Sequence, residues 1–321
     1  MDEFSFIESI RQKTYNQPSL IKGIGDDAAV FRQRHQDIVT AVDTFVEDIH
    51  FSKQTMQAYH IGYRILAANL SDMAAMGAKP AYYLVSIVVP EHWSMEELSD
   101  IFKGMKTLAS RYDIDLIGGD TVSGDKLMIS ITVIGFADEN KVRFRHNAKV
   151  GDIVFVTGTL GDSQAGLYIL MNPGSYKSEA YYIKKHQMPE PQVVFSNYLQ
   201  KVPRLALNDI SDGIANETAE IAEASKVIIT LNESDIPTSS DYHQFPKNLQ
   251  QQWKYYGGED FEIMGTLPES DWRHVKEMAE LHGVKVTQIG KVTKACETGR
   301  VYINNNDKIN MLPRKGYTHL K

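Results

Sequence analysis

Apolar runs in this chain break repeatedly on aspartate, in short clusters flanked by Gly, Ser or Thr. Asp26 and Asp27 stand in Gly23-Ile24-Gly25-Asp26-Asp27, Asp43 in Ala41-Val42-Asp43-Thr44, and Asp72 in Asn69-Leu70-Ser71-Asp72. Asp120 follows in Gly118-Gly119-Asp120-Thr121, then Asp209 and Asp212 in Asn208-Asp209-Ile210-Ser211-Asp212-Gly213. A surface carboxylate usually sits among other polar residues. These are mostly bracketed by apolar stretches, which puts them at strand ends and turns beside a core. A fold that gathers them must also neutralise them, because carboxylates sharing one cleft repel. Hard divalent cations, Mg²⁺ above all, are the usual remedy, and the pattern points towards phosphate chemistry.

The 321 residues suffice for one large domain or two ordinary ones. With 42% hydrophobic and 23% charged residues the composition is that of a globular protein, and a net charge of −7 argues against a nucleic-acid binder. The lone Cys296 cannot form an internal disulfide, which suits a reducing cytoplasm. The amino terminus has no signal-peptide pattern, and no apolar run reaches the ~18 residues of a membrane span.

Strands and long helices alternate. The pattern predicts a short helix over Phe4 to Lys13, strands over Ala28–Phe31, Asp37–Val42, Tyr82–Val89 and Leu127–Phe136, and helices over Tyr59–Met76 and Met95–Tyr112. Gly118-Gly119-Asp120 reads as a strand end. The polar, basic stretch from Asp138 to Val150 suggests a boundary, giving an amino-terminal unit over 1–145 and a carboxy-terminal α/β unit over 146–321. Asn172 to Pro191 reads as a polar loop. The fold class is α/β (α+β) in two domains.

Each motif has a plain alternative. Gly23 to Asp27 also describes an ordinary turn, Asp43 a cap, Asp72 a hydrogen-bonded core residue, and Asp209 to Gly213 an Asx-turn. Gly257-Gly258-Glu259-Asp260-Phe261 adds two acids after two glycines. No Gly-x-x-x-x-Gly-Lys-Ser/Thr loop, Gly-x-Gly-x-x-Gly turn, kinase His-Arg-Asp signature or His-Glu-x-x-His motif occurs. The joint occurrence of the aspartate motifs is what carries weight.

Taken in order, these motifs resemble the thiamine-monophosphate kinase family, within the superfamily of aminoimidazole ribonucleotide synthetase. The resemblance spans nearly the whole chain, through Gly-Ile-Gly-Asp-Asp-Ala-Ala-Val, Val-Glu-Asp-Ile-His-Phe, Asn-Leu-Ser-Asp-Met-Ala-Ala-Met-Gly-Ala, Ile-Gly-Gly-Asp-Thr, Asp-Ile-Ser-Asp-Gly and Tyr-Gly-Gly-Glu-Asp-Phe-Glu. It implies an aminoimidazole-ribonucleotide-synthetase-like fold whose amino-terminal domains pair into a dimeric sheet or barrel. It also implies ATP-dependent phosphorylation of thiamine monophosphate in the cytoplasm, by a homodimer. Asp26, Asp43, Asp72, Asp120, Asp209 and Asp212 match the family's Mg²⁺ ligands. Gly119, Asp120, Arg145 and Ser211 match ATP contacts, and His50, Glu259 and Tyr317 match substrate contacts. Ala41 and Val42 stand where the family often has Ser or Thr, so any metal contact there must come from backbone carbonyls. The alternatives are a ring-closing synthetase of the same superfamily and a non-catalytic metal-binding homologue.

The acceptor in such a reaction is a phosphate monoester with a second pKa near ~6. It is already ionised near neutral pH, so no general base is expected. Charge repulsion between two phosphates is the obstacle, and clustered cations would remove it.

Overall fold

The computed structural model describes residues 20–22, 26–27, 29–33, 35–306 and 308–315. The helix expected over Phe4 to Lys13, and Tyr317, lie outside them. The first sheet contains β1 (Leu20–Lys22), β2 (Ala29–Gln33), β3 (Gln36–Val46), β4 (Lys79–Val89), β5 (Asp115–Ser123) and β6 (Met128–Asp138), in the order β1-β2-β3-β6-β4-β5. All neighbours are antiparallel except β4 and β5.

Period-two alternation gives this sheet two different faces. Val39, Ala41 and Phe45 on β3, Val85 and Ile87 on β4, and Ile129, Ile131 and Val133 on β6 are buried. They lie against α1 (Ala58–Ala75) and, beyond it, α2 (Met95–Arg111). The opposite face carries the exposed Val42, Tyr82, Val122 and Met128. Ser94 caps α2: its hydroxyl accepts from the Glu97 N–H at 3.2 Å, while the Glu97 carboxylate accepts from the Ser94 N–H at 2.8 Å. The buried stripe of α2 is Ile101, Met105, Leu108 and Ala109, on a helix packed against α1.

A second sheet has the order β13-β12-β9-β11-β7-β10-β8. Its strands are β7 (Ile153–Thr157), β8 (Ala206–Asp209), β9 (Val227–Asn232), β10 (Ile263–Leu267), β11 (Val286–Ala295), β12 (Arg300–Asn305) and β13 (Lys308–Met311). Around it stand α3 (Asp162–Met171), α4 (Glu179–Gln187), α5 (Val193–Leu199), α6 (Ile214–Ser225), α7 (Lys247–Tyr256) and α8 (Trp272–Leu281).

One hydrophobic core joins the two halves: Leu66, Leu70 and Ile131 belong to the same cluster as Phe155, Phe195, Leu207 and Phe261. Helix α1 lies between β3 and β6 on one side and α5 and β8 on the other, so it is buried nearly all round.

Two expectations need correction. Gly118, Gly119 and Asp120 lie inside β5 rather than at a strand end, with Gly119 pressed so close to β4 that a Cβ would collide with the Val85 carbonyl. The stretch Asn172 to Pro191 contains helix α4, whose Tyr182 and His186 are buried.

Candidate active site

The end of α1 brings Asn69, Ser71 and Asp72 against the ends of β3 and β8. Asn69 donates to the Ile65 carbonyl at 2.9 Å and accepts from the Asp43 N–H at 3.2 Å, which fixes β3 to the helix. Ser71 donates to the Asp209 carboxylate at 2.7 Å. Carboxylate oxygens of Asp27, Asp72 and Asp209 converge within 4.8 Å of one another. Three hard anionic oxygens in one place fit a hard divalent cation such as Mg²⁺.

The electrostatics agree. Burial, then the charges of Asp43, Asp209 and Asp27, hold Asp72 well above the ordinary carboxylate range. Burial raises Asp27 well above that range, against the opposing pull of Arg145 and with the help of Asp209, Asp26 and Glu220. Asp43 is pushed up to about 6 by burial and then by Asp209. Asp209 is pushed up to about 6 by burial, against the Ser71 hydrogen bond. These groups resist joint ionisation until positive charge arrives.

Arg145 is the positive charge already present. It pairs with Asp27, lies 3.0 Å from the Glu220 carboxylate and 3.8 Å from that of Asp26, and donates from Nε to Asn208 at 3.1 Å. Glu217 is buried beside it. It accepts from Asn208 at 2.7 Å and from the Asp212 N–H at 3.0 Å. Burial, then Glu220 and Asp212, push its carboxyl well up.

A cavity of about 1300 Å³ opens beside this cluster. Asp43, Ser211, Asp212, Glu259, Phe261, Trp253, Tyr255 and Tyr256 line it. His50 also lines it; its Nδ1 accepts from the Val46 N–H at 3.0 Å, which leaves the proton on Nε2. The Glu259 backbone N–H donates to the Ser211 carbonyl at 2.7 Å, tying the Glu259 loop to the Asp209–Gly213 turn.

Thus Asp43, Asp72, Asp209, Asp212 and Arg145 gather around one cleft, and His50, Ser211 and Glu259 face its cavity. The three-carboxylate group takes in Asp27; Asp26 is its neighbour. Gly119 and Asp120 stand apart. Asp120 pairs in register with Ser86, Ser86 with Ser130 and Ser130 with Thr44, so it is three strands from β3, ~14 Å away. It also lies on the sheet face opposite Asp43. Asn69, Ser71, Glu217 and Arg64 join the site beyond the residues expected from the sequence. Asn69 and Ser71 share the Asp72 motif, and Arg64 is a lone charge within an apolar helix.

Comparison with known proteins decides the relationship. Residues 25–137 match the N-terminal domain, and 149–303 the C-terminal domain, of the AIR synthase related proteins. Thiamine-monophosphate kinase of Bacillus subtilis (strain 168) is 44% identical over 329 residues, covering 100% of both chains. This chain belongs to the thiamine-monophosphate kinase family. Its relative in Escherichia coli (strain K12) is 36% identical, covering 92% of this chain and 91% of the relative. A solved thiamine-monophosphate kinase from Stenotrophomonas maltophilia K279a superposes with a TM-score of 0.78 at 30% identity, covering 95% and 98% of the two chains. The family fold also matches AaThiL complexed with AMPPCP and TMP, with a TM-score of 0.85, 28% identity and coverage of 99% and 97%.

Proposed function

We propose that this chain transfers the terminal phosphoryl group of ATP to thiamine monophosphate, releasing ADP and thiamine diphosphate. The observation that carries this is the convergence of Asp27, Asp72 and Asp209 beside a cavity lined by Glu259 and aromatic rings. It occurs in a chain that matches relatives named thiamine-monophosphate kinase over 100% and 91% of their length.

Asp27, Asp72 and Asp209 would hold Mg²⁺, with Asp26, Asp43 and Asp212 as further ligands and Asp120 supplied by a second copy of the chain. Bound Mg²⁺ supplies the positive charge that lets two phosphates approach. Arg145 adds a fixed guanidinium for the nucleotide, Ser211 lines its path, and Gly119 would reach it, with Asp120, from a second copy of the chain. In the cavity, the Glu259 carboxylate and the rings of Trp253, Tyr255 and Tyr256 suit a cationic aromatic ring such as thiazolium. His50 borders the same space, and Tyr317 completes the acceptor contacts. The acceptor phosphate, already ionised, attacks in line without a base and without a phospho-enzyme.

The chain acts in the cytoplasm as a homodimer, with units over 1–145 and 146–321. The exposed apolar side chains on the outward face of the first sheet favour pairing there. No described helix is long and apolar enough to cross a membrane.

The test is ADP formation with ATP and Mg²⁺, with and without thiamine monophosphate, beside formylglycinamidine ribonucleotide as the ring-closing substrate. The reading expects ADP and thiamine diphosphate in equal amounts, only with the thiamine ester. ADP formed only with the ribonucleotide, or with neither, overturns it.

A further inference from the structure

Arg64 heads the fully buried side chains, with 1% of its side chain exposed. A buried guanidinium is costly unless paired, so its partners report what it is for. It forms an ion pair with Glu259 and donates to the carbonyl of His186. It also donates to His186 Nδ1 at 3.3 Å and stacks 5.9 Å from the centre of the Phe261 ring. Burial, then the charge of Arg64, hold His186 well below the ordinary imidazole range, so Glu259 is the charged partner.

All of these partners belong to the second half of the molecule, while Arg64 belongs to α1. Arg64, Ala68 and Asp72 follow at four-residue steps on one face of that helix. Ala68 lines the cavity, and Asp72 joins the converging carboxylates. One rigid helix therefore holds the acidic end of the cleft and, ~12 Å along its axis, the side chain that grips Glu259.

The loop carrying Glu259 needs such a grip. Glu259 has φ of 68° and Phe261 φ of 50°, left-handed values that cost a side chain energy. Backbone hydrogen bonds to Ser211 at 2.7 Å and Ile210 at 2.9 Å hold the main chain. Arg64 holds the carboxylate.

We propose that Arg64 is a positioning residue for acceptor recognition: through Glu259 it fixes the cation-binding end of the cavity at a set distance from the carboxylate cluster. It therefore governs affinity for the thiamine ester rather than the rate of phosphoryl transfer. This rests on the function proposed above.

The test is steady-state kinetics of Arg64→Met, Arg64→Lys, Glu259→Gln and the double variant Arg64→Met/Glu259→Gln. Arg64→Met is expected to raise KM for thiamine monophosphate by about tenfold or more, with kcat within about threefold and KM for ATP unchanged. Arg64→Lys, which keeps the charge but not the planar fork, should recover part of the loss. The double variant should be no worse than the poorer single variant, because the two residues act as a unit. A wild-type acceptor KM in Arg64→Met overturns the proposal, as do additive losses or equal losses for ATP and acceptor. If Arg64→Met does not fold, Arg64→Lys decides: a rise of about threefold or more in acceptor KM alone supports the proposal, and a wild-type KM overturns it. A wild-type protein that ignores thiamine monophosphate refutes the proposed function, and this inference falls with it. A wild type that accepts it, beside an unaffected Arg64 variant, refutes the inference alone.

Discussion

At Asp72, burial and three neighbouring carboxylates all oppose ionisation. If Asp72 holds Mg²⁺ as proposed, removing its carboxylate relieves repulsion in the metal-free protein and takes a ligand from the loaded one. Asp72→Asn is therefore expected to lower kcat by about 100-fold, or ~2.7 kcal/mol of barrier. Calorimetry in a chelator should give a Tm equal to or above wild type. Activity within about twofold of wild type would remove Asp72 from the metal site. Residues of this kind were legible because a lone aspartate after an apolar run contradicts its surroundings. Arg64 contradicts its own in the same way, but its reason lies in Glu259 and His186, more than a hundred residues away in the chain. No local pattern encodes such a pairing.

Elements were legible where period and length agreed. Helices α1 and α2 run from Ala58 to Ala75 and from Met95 to Arg111, within a residue of the expected ends. Helix α4 was hidden because it starts on Ser178 in a left-handed conformation with no side-chain cap, and buries only Tyr182 and His186. Helix α5, Val193–Leu199, is too short to show a period. The crossing of α1 and α2 is set by close backbone approach: a Cβ on Gly62 would strike the Ile101 carbonyl. Gly62→Ala gains ~1 kcal/mol in helix propensity but meets an overpacking cost of ~1–3 kcal/mol, so chemical denaturation should show net destabilisation. Asp260 joins its loop to α3, accepting from the Gly161 N–H at 2.6 Å and the Ser163 N–H at 3.0 Å. Burial, then Asp162, push its carboxyl from 3.8 to about 8. The folded state thus holds a proton that the unfolded chain releases, and that contribution, full below pH 3.8, is lost as pH rises through about 8. The Tm of Asp260→Asn relative to wild type should accordingly climb between pH 5 and pH 8.5; a constant difference would show that Asp260 is already ionised.

At the scale of the whole molecule, the role proposed for Asp120 calls for a second copy of the chain. Within one chain it stands ~14 Å from β3 and on the wrong face of the sheet. That face also exposes Val42 at 60% and Val122 at 48%, in line with burial against a second copy. In a twofold dimer joined there, Asp120 of one chain can serve the cleft of the other. Mixing tests this without any structure of the assembly. Asp72→Asn and Asp120→Asn are each expected to be inactive as pure proteins. After co-refolding in equal amounts, half of the dimers are mixed, and each mixed dimer has one site with both aspartates intact. Activity should then return to about one quarter of wild type. If Asp120 acts within its own chain, every site in the mixture lacks one aspartate and nothing returns. Val42→Glu placed in both chains should abolish the recovery and shift sedimentation to the monomer, since an added charge on the apolar face must be desolvated on pairing.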